Sequence, residues 1–540
     1  MGRNLSRICA AVLVCLLAVN VFASAHNGRP RLVVIVVIDQ LRGDLLERYH
    51  DQFGPDGFRL LLDRGAYFSA CNYDYANTRT GPGHATLGTG TYTSGHGIIA
   101  NEWWDNARKR NVTCTEDETT RVLGGSGTGS SPRNLLANTL GDELKLATGG
   151  KARVFGLALK DRAAILPTGF TADFAFWIDR NTGQWISSSY YANDLPQWVK
   201  EFNAGKRAEN YWNLEWKDSD ARVLRTTIPA KNLRKDGKPA GFYDVVGATP
   251  FANDYELEFA RELITNEKLG SGPVTDLLVV SLSANDILGH QVGPDSREIR
   301  AMVVAMDKQL GDFFGFLGRQ LGLANVWIVL SADHGVSPLP SYAAGLRLPA
   351  KNLDSAEMRR QVNATLATRF GRNAEYVRAI DWPIAFLNEE AFANVKEADA
   401  ERAAGEALKQ AGMRSFVTRV QLESGEVPAD ELGRRYQHSY SPYGGWYVLG
   451  VPPPFVVGYK TGADHATAYS YDTHVPLGFF GLPFQPGIYR TACEPVDLAA
   501  TLASLLGINA PSHAVGRVLT EALASSAPAR SNAAAAGETR

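Results

Sequence analysis

An α/β architecture, a mostly parallel central sheet with helices on both faces and inserted cap segments, follows from three features of this chain. Continuous aliphatic runs recur at Leu32–Ile38, 153–159, Asp276–Leu282, Val326–Ser331 and 475–480. Runs without polar alternation mark strands buried on both faces. Helical periodicity separates these runs, as in 296–317 and in 494–506, where Gly507 closes the helix. The chain has 540 residues, 45% hydrophobic and 21% charged, which suits one large core with insertions better than a string of small modules. Strands alternating with helices give a parallel sheet covered on both sides.

In chain order, the N-terminus resembles an export signal. Arg3 and Arg7 precede an apolar run, and Ala23, Ser24 and Ala25 supply a small-residue cleavage site. The run is short for a membrane span, so residues 1–25 are expected to be removed, leaving a periplasmic or secreted protein. No later segment is apolar and long enough to cross a bilayer. A net charge of -2 gives no basic surface for a nucleic-acid partner. Two of five cysteines, Cys9 and Cys15, fall in the signal; Cys71, Cys114 and Cys493 remain. Three is odd, so at most one internal disulfide forms; Cys71 with Cys114 is the expected pair, three buried thiols the alternative.

The strands end in chemistry-bearing residues. Asp39 follows the first run and Lys160 the second. Asp286 and His290 follow the third, and Asp333-His334 the fourth. Ligands of open α/β sheets gather at these carboxyl ends. The catalytic domain is expected over 26–524. Stretches at about 170–253 and 341–460 break the pattern and read as insertions that cap the site or decorate the surface. Helices are expected at Ser355–Phe370 and 397–412. The Ala/Ser-rich 525–540 reads as a disordered tail.

Carboxylates and imidazoles suit zinc, and also manganese or iron. Three aspartates and three histidines would hold two divalent ions with three ligands each. Asp286 and His290 are four apart, so one helical turn aims both at one ion. Asp333 and His334 are adjacent, so only a turn lets both point inward, and Gly335 permits it. The last histidine is His465, in a Gly-Ala-Asp-His loop, or His474, directly before a strand. Thr80, in Thr80-Gly-Pro-Gly-His84, is placed where a helix begins; metal coordination would activate it as a nucleophile toward phosphorus. Pro82 near a first helical position and free backbone N–H groups suit an anion. Asn101 is a candidate donor to a phosphoryl oxygen. Lys160 and Arg162 are two cations just past a strand, and a bound phosphate dianion would satisfy them.

These residues resemble the alkaline phosphatase superfamily, in its branch of type I phosphodiesterases and nucleotide pyrophosphatases. The likeness runs from VVIVVIDQLRGD to EPVDLAATLASLLGINAPSHAVGRVL. It implies Thr80 as nucleophile in a T-x-P-x-H setting, with one metal on Asp286, His290 and His465. The other metal is then on Asp39, Asp333 and His334, with Thr80 completing its shell. The spacing of the distal histidine in relatives favours His465 over His474, although Ala466 stands where they usually carry glycine. Asn101 and the K-x-R pair Lys160 and Arg162 resemble the threonine-using phosphomonoesterases. The expectation is an alkaline phosphatase acting on small phosphorylated substrates through a phosphothreonine, formed and hydrolysed in two in-line displacements. A phosphodiesterase or nucleotide pyrophosphatase is the first alternative, and a non-catalytic secreted binding protein the second.

Overall fold

A computed structural model describes residues 28–229 and 240–523. The expected signal and tail, 1–25 and 525–540, lie outside the described residues. Eleven strands form one sheet, and its middle is parallel. Val326–Ser331, Leu32–Ile38, Asp276–Leu282, Val154–Ala158 and Phe174–Ile178 lie side by side in that order, all parallel. The first four are entirely buried, which is why their sequences show no polar alternation. Helices such as Pro250–Asn266 and Arg297–Leu321 cross between them. The second is capped by Ser296, whose side chain accepts from Ile299 N–H.

The run expected at 475–480 forms the strand His474–Phe480 and pairs antiparallel with Val326–Ser331. Ala66–Asn72 continues this antiparallel edge. Within the stretch read as a first insertion, Phe174–Ile178 and Trp185–Ser188 extend the central sheet. Their aromatic-rich composition carries no aliphatic run, so period alone did not separate them from a loop. Within the second, a four-stranded antiparallel sheet orders Val377–Asp381, Ile384–Leu387, Tyr447–Val451 and Ser415–Thr418. The helices Ser355–Phe370 and Glu397–Gln410 share a separate apolar core with it.

Cys71, Cys114 and Cys493 are free, buried thiols, so the expected Cys71–Cys114 bridge is not formed. Cys71 instead faces Cys493 in a one-residue parallel bridge at the sheet edge. Cys114 packs against the start of the Thr80 helix, where a Cβ on Gly81 would lie 3.2 Å from its sulfur. Nearness to one segment in sequence did not translate into nearness to each other.

Candidate active site

Asp39, Lys160, Asp286 and Asp333 follow four strands that are neighbours in the sheet, so the carboxyl edge brings all four to one place. Asp39 is fixed as its N–H donates to Leu282 O at 3.1 Å. Asp286 and His290 stand one turn apart on the helix Ala284–Val292, with His290 Nε2 3.2 Å from Asp286 Oδ1. Asp333 Oδ1 accepts from Gln40 N–H and from His334 N–H, each at 3.0 Å. Gly335 is needed for close approach, not for a left-handed φ. Its N–H donates to Asp472 O at 2.7 Å, and a Cβ there would lie 2.3 Å from Tyr471 O.

The six expected ligands form two clusters. Asp286, His290 and His465 place ligand atoms within 4.8 Å of one another, and so do Asp39, Asp333 and His334. His474 is elsewhere, with Nε2 2.9 Å from Ser69 O. The rings of His334 and His465 lie 3.8 Å apart, so the clusters adjoin. All three histidines share one arrangement. Nδ1 lies 2.9 Å from Ala463 O in His290, 2.8 Å from Gly335 O in His334 and 2.6 Å from Thr78 O in His465. A carbonyl only accepts, so each Nδ1 must carry the hydrogen, leaving Nε2 as the coordinating nitrogen.

The residues fit divalent cations. Asp39, Asp286 and Asp333 are three carboxylates exposed by 0%, 4% and 0%. Buried charges demand compensation. Asp39 Oδ1, Asp333 Oδ2 and His334 Nε2 are buried and find no hydrogen-bond partner among the described residues. All three belong to one cluster and are the types that bind metal. Burial drives Asp39 well above the usual carboxylate range, helped by Asp286 and Asp333. Burial also works to raise Asp286, but Lys160 and His290 outweigh it and hold the group well below its usual value. His290 is raised to about 9: burial opposes its charge, and Asp286 overcomes that. Burial, with His334 and His290, holds His465 well below its usual value. Lys160 compensates part of the negative charge, and two divalent ions, bound by neutral histidines, would compensate the rest.

Thr80 opens the helix Thr80–Thr89 and is 2% exposed. Gly81 N–H, expected to be free for an anion, donates to Asn101 Oδ1 at 2.7 Å. That bond leaves the Asn101 amide nitrogen as the donor. Lys160, expected on a phosphate, lies 2.6 Å from Asp39 Oδ2 and 2.5 Å from Asp286 Oδ2, bridging the clusters. Arg162 Nε is buried without a hydrogen-bond partner among the described residues. His84 holds the helix from beneath, with Nδ1 2.8 Å from Thr80 O and Nε2 2.8 Å from Ser281 Oγ. Thr80, Asn101, Lys160, Arg162, Asp286, His290 and His465 line one cavity of about 640 Å³. A larger groove of about 1330 Å³ lies beside Asp218 and Arg297 and contains none of them, so the smaller cavity is the candidate.

Sequence reasoning missed the groups that the insertion contributes. Asp381, Trp382 and Tyr459 line the cavity mouth, and Arg79, next to Thr80, pairs with Asp381 at 2.9 Å. It also missed Gln40, whose amide donates to Asp286 Oδ1 at 2.7 Å. Only its position beside Asp39 could have drawn notice.

The chain is similar to known proteins over most of its length. Residues 33–410 match the type I phosphodiesterase / nucleotide pyrophosphatase family. A Myroides odoratus protein called a calcium-transporting ATPase is 34% identical over 96% of this chain and 100% of its own length. The alkaline phosphatase PafA of Elizabethkingia meningoseptica is 32% identical over 92% of this chain and 95% of its own. The crystal structure of wild-type alkaline phosphatase PafA superposes with a TM-score of 0.82 at 30% identity, covering 92% of this chain and 99% of that one. A PafA variant with a threonine, an asparagine, a lysine and an arginine replaced superposes equally well.

Proposed function

This chain belongs to the type I phosphodiesterase / nucleotide pyrophosphatase family and is an alkaline phosphatase; we propose that it cleaves phosphate monoesters through a phosphothreonine at Thr80. The observation that carries the reading is one cavity lined by Thr80, Asn101, Lys160, Arg162 and the cluster Asp286, His290 and His465, with the cluster Asp39, Asp333 and His334 adjoining it through the stacked rings of His334 and His465. The residue types altered together in the PafA variant, threonine, asparagine, lysine and arginine, are those that line it here.

Asp286, His290 and His465 would hold one ion, and Asp39, Asp333 and His334 the other. Mixed imidazole and carboxylate donors favour zinc. The ions would supply Lewis-acid stabilisation of negative charge on the attacking and departing oxygens. Thr80 Oγ1 loses its proton and bonds phosphorus as the ester oxygen leaves. The leaving oxygen takes up a proton as the free alcohol. Water then cleaves the phosphothreonine, releasing phosphate and restoring the threonine. Asn101 donates to one phosphoryl oxygen and Arg162 to another, where charge spreads in the transition state. Lys160 lines the same cavity, and cations at Asp39 and Asp286 would free its ammonium for the phosphoryl group.

The signal-like sequence expected at residues 1–25 supports a periplasmic or secreted enzyme, and among the described residues no helix is long and apolar enough to cross a membrane. Thr80→Ala tests the covalent route. It should abolish turnover of a monoester while both metal equivalents stay bound by elemental analysis. Surviving activity would end the phosphothreonine route.

A further inference from the structure

We infer that Gln40 is a positioning residue that ties the two ligand clusters together. It follows Asp39 in the chain and is 1% exposed. Its N–H donates to Asp333 Oδ1 at 3.0 Å, and its side-chain Nε2 donates to Asp286 Oδ1 at 2.7 Å. One residue is therefore bonded covalently to one aspartate and by hydrogen bonds to the other two. Its φ is +66°, a left-handed conformation that side chains other than glycine adopt at a cost. The surrounding contacts hold it there.

Asp286 Oδ1 is 3.2 Å from His290 Nε2 and 3.9 Å from His465 Nε2. The Gln40 amide thus fixes the carboxylate oxygen that faces both histidines of its cluster. A second observation points the same way. Gly289 sits inside the helix Ala284–Val292, where alanine would form helix better. A Cβ at Gly289 would lie 2.0 Å from Gln40 Oε1. The glycine, immediately before His290, makes room for the amide.

This inference rests on the two-ion reading, and its test separates the two. Gln40→Gly keeps the backbone conformation and the N–H to Asp333 but removes the amide. Protein stripped by chelation is titrated with Zn²⁺ against a chromophoric competitor. One of two equivalents should weaken about 10- to 100-fold while the other keeps its affinity. The melting temperature of the stripped protein should not fall, and kcat on a monoester should drop with KM nearly unchanged. Gly289→Ala, which pushes the amide aside, should weaken the same equivalent. In the Gln40→Gly background it should have no further effect on binding, since the group it displaces is gone. Two unaltered equivalents and an unaltered kcat in both variants would overturn the inference. So would equal weakening of both equivalents with a lowered melting temperature, the mark of simple packing. Wild-type protein binding fewer than two equivalents would sink the two-ion reading itself and this inference with it.

Discussion

Gly83→Ala isolates how closely the nucleophile helix must approach the metal ligands. Gly83 is the fourth residue of Thr80–Thr89, on the same face as Thr80. An added Cβ would lie 2.2 Å from Asp333 O and 2.7 Å from Asp333 Cβ. Ordinary contact begins at 3.4 Å, so helix and Asp333 must separate by about 1.2 Å. Neither side yields easily. Asp333 is fully buried and its Oδ1 accepts two N–H groups, while His84 anchors the helix to Ser281. Helix propensity favours alanine by about 1 kcal/mol, and overpacking costs about 1–3 kcal/mol. The net loss of stability is then about 0–2 kcal/mol, a few °C in melting temperature at most. Displacing a reacting group by about 1 Å costs about 100-fold in rate. The expected signature is a large fall in kcat on 4-nitrophenyl phosphate with melting nearly preserved, both measured on one sample. A wild-type kcat in Gly83→Ala would refute the claim that this contact sets the position of Thr80.

Replacing Lys160 and Arg162 together should damage monoester turnover far more than diester turnover, because a monoester presents more charge to the two cations; equal losses in steady-state assays would remove that basis for monoesterase specificity. Chelation should lower the melting temperature, and zinc at 100 times its Kd should restore about 2.7 kcal/mol; calorimetry showing identical stripped and loaded proteins would contradict a site built on three buried carboxylates. The contact of the 341–460 stretch with the main domain should be pH-sensitive through Asp74, which meets Arg434 and His438. Burial would raise that carboxyl, but hydrogen bonds from His438 and Arg434 hold it at about 2, below its usual 3.8. A depressed carboxylate stabilises the fold above pH 3.8, and the contribution fades as pH falls toward 2. Burial disfavours the charged His438 ring, yet Asp74 raises it above 6.5, so its share fades on the alkaline side. The melting-temperature gap between wild type and Asp74→Asn should therefore be widest between these limits, and a gap constant from pH 2 to 9 would exclude the pair as its source.

The legible part of this protein was whatever consecutive residues encode. Buried strands announced themselves because a segment covered on both faces must be apolar throughout, and Leu32–Ile38, Asp276–Leu282 and Val326–Ser331 appear as read. Ser355–Phe370 was readable for the same reason, a helical period within one segment. The candidate residues at strand ends were legible because a parallel sheet puts all its carboxyl ends on one edge, whatever the strand order.

Other features depended on how distant segments meet. Val475 lies in an antiparallel strand because the chain returns along the sheet edge, which no local pattern records. Cys71 faces Cys493 rather than Cys114 because the strand Ala66–Asn72 pairs with the segment around Cys493, about 420 residues on. Three carbonyls, from Gly335, Ala463 and Thr78, fix the histidine tautomers, and a backbone carbonyl carries no side-chain signature. Residue types and spacing named the ligands as candidates, since metal chemistry is selective for atoms. Which ligand faces which, and that Gln40 stands between them, was decided by contacts across about 250 to 290 residues of sequence separation, where only the folded sheet sets distance.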